Sequence, residues 1–121
     1  MSLTVTYEIR SWEAGPQAHV ITASGELDLN AAPALREKLL RLIELGQVHL
    51  IVDMGEATFV DSTVIGVLVS RLKPLRALGG SLALACRNEN VLRTLEIAGI
   101  RRAFTVHPTL AEALAATAHR I

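Results

Sequence analysis

Asp61, Ser62 and Thr63 stand in a row directly before a run whose apolar spacing turns helical at Val64. All three are residue types that cap helices. An apolar run ending at Asp53 reads as a buried strand just upstream, and Phe59 and Val60 follow as side chains that can plug back into a core. The pattern therefore sets a hydroxyl and a carboxylate at the start of a helix beside a strand end. Free backbone N–H groups and the helix dipole favour an anion there. Ser62 has two readings: a helix cap, or a hydroxyl that accepts a phosphoryl group, with Thr63 as the competing neighbour. Val64 and Val67 lie round from the core stripe of Ile65, Leu68, Val69 and Leu72. They read either as part of a wide buried face or as an apolar patch near Ser62 for a partner.

The elements that position this stretch follow from spacing. Residues 3–10 alternate, with Val5, Tyr7 and Ile9 on one side, as a half-exposed strand does. Gly15-Pro16 marks a turn, and residues 18–24 form a second strand, so the chain opens with a hairpin. Gly25-Glu26-Leu27-Asp28 leads to Asn30, expected to cap a helix over 31–45 with Leu35, Leu39, Leu42 and Ile43 inside. Glu37 and Arg41 are expected to pair one turn apart, and Gly46 ends the helix. A third strand covers 49–54. The helix after Ser62 runs to about Leu72, with Pro74 kinking or ending it. Gly79-Gly80 turns into a strand over 81–86, whose small Ala83 and Ala85 invite close packing. A short helix over 89–98 closes at Gly99, a short edge strand covers 103–106, and Thr109 with Glu112 opens a last helix through Ala118. A helix separates the third and fourth strands, so a right-handed parallel crossover is expected. The reading is one α/β domain over 1–121, with a mixed, mostly parallel sheet, an N-terminal hairpin and about four helices.

Composition narrows function. The 121 residues suit one domain. Twelve basic and twelve acidic residues cancel, which gives no electrostatic reason to bind nucleic acid or anionic lipid. Aromatics are Tyr7, Trp12, Phe59 and Phe104 alone, too few for base-stacking platforms. The single cysteine, Cys86, fits a reducing compartment. No apolar run reaches the ~18 residues of a membrane span, so a cytoplasmic protein without membrane insertion is expected.

Enzyme signatures are missing. Asp53 at a strand end suggests a receiver domain, but the only lysines are Lys38 and Lys73, and no acidic pair follows the first strand. Asp61-Ser62 is not a Gly-x-Ser-x-Gly elbow. His19, His49, His107 and His119 are scattered, with no metal-ligand spacing. Gly79-Gly80 has no following lysine for a phosphate-binding loop. Neither catalysis, metal nor cofactor is expected.

At Gly25-Glu26-Leu27-Asp28 and at residues 61–68 (Asp-Ser-Thr-Val-Ile-Gly-Val-Leu) the chain resembles a STAS domain, and within that family the stand-alone bacterial anti-sigma factor antagonists. The resemblance extends through the order of elements to the Leu78-Gly79-Gly80 turn. It implies a switch in transcription regulation. The unphosphorylated antagonist binds an anti-sigma factor serine kinase and frees the sigma factor; phosphorylation of the serine matching Ser62 ends binding; a phosphatase reverses it. Asp28 and Asp61 match acidic positions flanking that site, so the implied partner surface comprises Asp28, Asp61, Ser62, Thr63, Val64 and Val67. Val64 stands where the family usually has glycine, and is expected to stand out beside Ser62, narrowing kinase access or adding an apolar contact. The alternative is a non-switching STAS binding subunit, a stress-signalling scaffold or part of a lipid-transport complex.

Overall fold

A computed structural model describes residues 6–15 and 18–120. In chain order the elements are β1 (Tyr7–Glu13), β2 (Ala18–Leu27), α1 (Ala32–Glu44), β3 (His49–Asp53), β4 (Ala57–Val60), α2 (Ser62–Ala77), β5 (Ser81–Ala85), α3 (Glu89–Ile97), β6 (Thr105–His107) and α4 (Leu110–Arg120). The strand order is β1-β2-β3-β5-β6, and β4 pairs with β2. The β1–β2 hairpin is antiparallel and every other pairing is parallel. The expected mixed sheet, hairpin and four helices are all present. Leu3 to Val5 and Pro16, part of the expected hairpin, lie outside the described residues.

Alternation sends the side chains of β2, β3 and β5 to two cores. Ile21, Leu50, Val52 and Leu84 meet α1, α2 and α3 in the larger one. Val20, Ile51, Ala83 and Ala85 meet Ala113 of α4 in the smaller, so the small residues of β5 are where α4 comes close.

Several expectations are corrected. The first strand extends to Glu13 rather than ending at Arg10. Ala31, not Asn30, is the residue before α1, and it offers no side-chain cap. Glu37 and Arg41 are both exposed, but no ion pair within 4 Å joins them. α2 continues through Pro74 to Ala77. Proline there removes the donor for the Ser70 carbonyl; both residues are exposed, so water can serve it. Residues 57–60, where no strand is expected, form β4; its Val60 is buried in the core as expected, but Phe59 is 49% exposed.

Candidate functional site

β2 is ten residues long because it serves two partners in turn. Its first half pairs with β3 as far as Thr22↔Asp53, and from Gly25↔Ala57 onward it pairs with β4, with an irregularity between Gly25 and Glu26. Gly25 permits the change. Its φ is +83°, and a Cβ there would stand 2.2 Å from the Thr6 carbonyl oxygen, so only glycine fits without displacing β1.

The pairing ends at Leu27↔Val60, and the Asp61 N–H donates to the Leu27 carbonyl at 3.1 Å. Asp28 and Asp61 thus follow paired residues at the carboxyl ends of neighbouring parallel strands. Each carboxylate is anchored. Asp28 Oδ1 accepts from Asn30 N–H at 2.9 Å. Asp61 Oδ1 accepts from Thr63 N–H at 2.9 Å and from Val64 N–H at 3.1 Å. Asp61 is therefore the N-cap of α2, with extended backbone, and Ser62 is the first helical residue. Ser62 is exposed, and no described group hydrogen-bonds its hydroxyl. The capping reading of Ser62 falls to Asp61, and the serine oxygen is left to solvent.

Of the remaining candidates, Thr63 is exposed and Val67 half-buried. Both line an open groove of about 650 Å³ between α1 and α2. Val64 is corrected: it is 0% exposed and part of the larger core. It neither stands out beside Ser62 nor offers a partner any surface. A residue sequence reasoning passed over is Leu29, 62% exposed, which lines the groove beside Thr63. The signal was available, since Leu29 follows Asp28 and precedes the helical stripe.

His19 is the second residue of β2 and His49 the first of β3, at the end of the sheet opposite Ser62; His49 Nδ1 pairs with Ser81 Oγ at 3.0 Å. Among the described residues, no group of three or more His, Cys, Asp and Glu side chains is placed to hold a metal. No helix among them is long and apolar enough to cross a membrane. Burial pushes the Cys86 thiol up, aided by the nearby Asp53 carboxylate and opposed by a bond to the Asn88 backbone.

A mixed α/β sandwich with a capped helix presenting a free hydroxyl at the carboxyl end of its sheet defines the class. The STAS domain family matches residues 12–113, and the chain belongs to that family. Over 81 residues it is 37% identical to the anti-sigma-B factor antagonist of Bacillus subtilis (strain 168), covering 67% of this chain and 73% of that one. An anti-sigma factor antagonist from Mycobacterium paratuberculosis superposes with a TM-score of 0.81 at 25% identity, covering 92% of this chain and 95% of the other. The unphosphorylated form of the Bacillus anti-sigma factor antagonist SpoIIAA has the same fold, with a TM-score of 0.81 at 23% identity over 93% and 97% of the two chains.

Proposed function

We propose that this protein is an anti-sigma factor antagonist controlled by phosphorylation at Ser62. The exposed, unpartnered Ser62 hydroxyl carries the reading. Asp61 already holds the Thr63 and Val64 N–H groups, so a phosphoryl group on Ser62 finds the helix's anion site largely taken. Its charge of about −1.5 to −2 projects outward instead of reorganising the fold. A partner docked over Ser62 then meets a new anion beside two carboxylates. Each unit-charge pair at ~6 Å and an effective dielectric of ~20 repels by roughly 3 kcal/mol, which weakens binding on the order of a hundredfold.

The partner is an anti-sigma factor that is also the serine kinase. The unphosphorylated protein binds it and frees the sigma factor, and a phosphatase restores the hydroxyl. The protein is a substrate and a binder, not a catalyst, and acts in the cytoplasm. Asp28, Thr63 and Val67 contribute the surrounding surface, with Leu29 as an apolar contact. The identity to the Bacillus subtilis antagonist supports the reading.

Incubation with ATP and the cognate anti-sigma factor is expected to add one phosphoryl group by intact-mass spectrometry, and none to Ser62→Ala. Ser62→Asp is expected to keep the fold and weaken partner binding, measured by titration calorimetry. An unchanged mass with that kinase defeats the switch. Tight binding indifferent to Ser62→Asp favours the non-switching scaffold.

A further inference from the structure

We propose that the protein pairs with a second copy of itself through the outer edge of β1, joining two sheets across a twofold axis at Ile9. β1 ends the strand order, and no described strand covers its far side. An open edge is a template for another strand.

Which residues face outward follows from the hairpin. Glu26 N–H donates to the Thr6 carbonyl at 2.7 Å, and Ala14 N–H donates to the Ala18 carbonyl at 2.9 Å. In an antiparallel ladder these orientations alternate. Even-numbered residues of β1 therefore turn their backbone groups toward β2, and Tyr7, Ile9, Ser11 and Glu13 turn theirs outward. A twofold pairing of outward groups with Ile9 opposite Ile9 sets Glu8 of each strand against Arg10 of the other. The neighbouring registers set Glu8 against Glu8 or Arg10 against Arg10, which like-charge repulsion disfavours. Within one strand Arg10 Nε lies 2.5 Å from Glu8 Oε1, so the pairing completes an alternating ring of four charges.

The other face of the edge fits the same partner. Ile9 packs against the larger core and opens onto a groove of about 530 Å³ lined with Ala34, Glu37, Lys38 and Arg41. Ile9 of the second copy, arriving across the axis, is buried there beside charges of both signs, which a twofold-related α1 complements. Backbone bonds and Ile9 burial supply affinity. The exposed charges set register more than strength.

Sedimentation equilibrium on the full chain tests this. The average mass is expected to rise with concentration from 13.0 kDa toward twice that value. Glu8→Arg and Arg10→Glu, at side chains 58% and 73% exposed, are expected to keep a native circular dichroism spectrum and to weaken association at least tenfold. The double variant Glu8→Arg/Arg10→Glu is expected to restore it, because the ring re-forms with its signs exchanged. A mass fixed at 13.0 kDa, a dimer indifferent to both single reversals, or a double variant that stays monomeric overturns the proposal. Ser62→Ala is expected to associate like the parent, so this outcome is separable from the phosphorylation switch.

Discussion

Replacing Val64 by glycine separates two ideas about the residue two positions after Ser62, the proposed phosphoacceptor. If its side chain guarded Ser62, Val64→Gly would speed phosphorylation and cost little stability. The structure assigns the opposite. Val64 is 0% exposed and packed into the larger core. Full burial of a valine side chain stabilises by about 1.5–3 kcal/mol, and a residual cavity adds to the loss. Glycine in a helix costs a few tenths of a kcal/mol more than valine. The expected loss is about 3 kcal/mol, a large part of the ~5–15 kcal/mol by which domains are stable. With an unfolding entropy of roughly 2.1 cal/mol/K per residue, Tm falls by about 12 °C. Urea titration is expected to show a lower midpoint at unchanged slope. Val64→Ala is expected to lose about 2 kcal/mol, because it keeps a good helix former. Phosphorylation of folded Val64→Gly, followed well below its Tm, is expected to match the parent. A loss under about 1 kcal/mol, or faster phosphorylation at equal foldedness, refutes this account of the packing.

Two glycines are expected to respond oppositely to alanine in the same thermal melts. Gly25→Ala meets the Thr6 carbonyl oxygen at 2.2 Å with φ at +83°, and is expected to lose more than about 2 kcal/mol from strain and strand displacement. Gly66→Ala, exposed in α2 with nothing within 4 Å of the added Cβ, is expected to gain about 0.5–1 kcal/mol. Cys86 predicts a pH dependence. Its folded pKa is raised from 9.0 by burial first, so the folded state holds the thiol proton more tightly than the unfolded state does. That contribution is complete below the unfolded pKa and is lost as pH rises through the alkaline range toward the folded value. Urea midpoints are expected to fall more steeply above pH 9.0 for the parent than for Cys86→Ala.

What the sequence disclosed is what local pattern determines. The stripe of Leu35, Leu39 and Leu42, the strands around Leu50 and Leu82, and Thr109, whose Oγ1 accepts from Glu112 N–H at 3.1 Å, are all set by residues close in the chain. Most of the misreadings depend on distant partners. β4 has only four residues, and the pairing that makes it a strand comes from β2, across more than thirty residues of chain. Pro74 stops neither α2 nor its packing, because Leu72 and Leu75 are buried on either side of it. Asn30 lost its expected role because the turn tightens one step earlier, where Ala31 N–H reaches the Asp28 carbonyl at 3.0 Å and Asp28 caps Asn30. Val64 was misplaced because helical periodicity gives the centre of the buried stripe but not its width. α2 packs against both α1 and β5, and the buried arc reaches Val64.

The two motifs that stood apart in the sequence, Gly25 to Asp28 and Asp61 to Ser62, are halves of one device. Parallel strands place their carboxyl ends together, but β3 ends at Asp53, too early to hold Asp28. β2 must outlast β3 and find a second partner. The left-handed Gly25 turns its final residues onto β4, and the Leu27↔Val60 register then delivers Asp28 and Asp61 side by side. Asp28 ties down the turn into α1, and Asp61 ties down the first turn of α2. With both carboxylates engaged by backbone N–H groups, neither can swing away to relieve repulsion from a phosphoryl group on Ser62. On the proposed reading, a charge added at Ser62 would stand beside two anchored carboxylates on an ordered surface, where a docked partner would meet it.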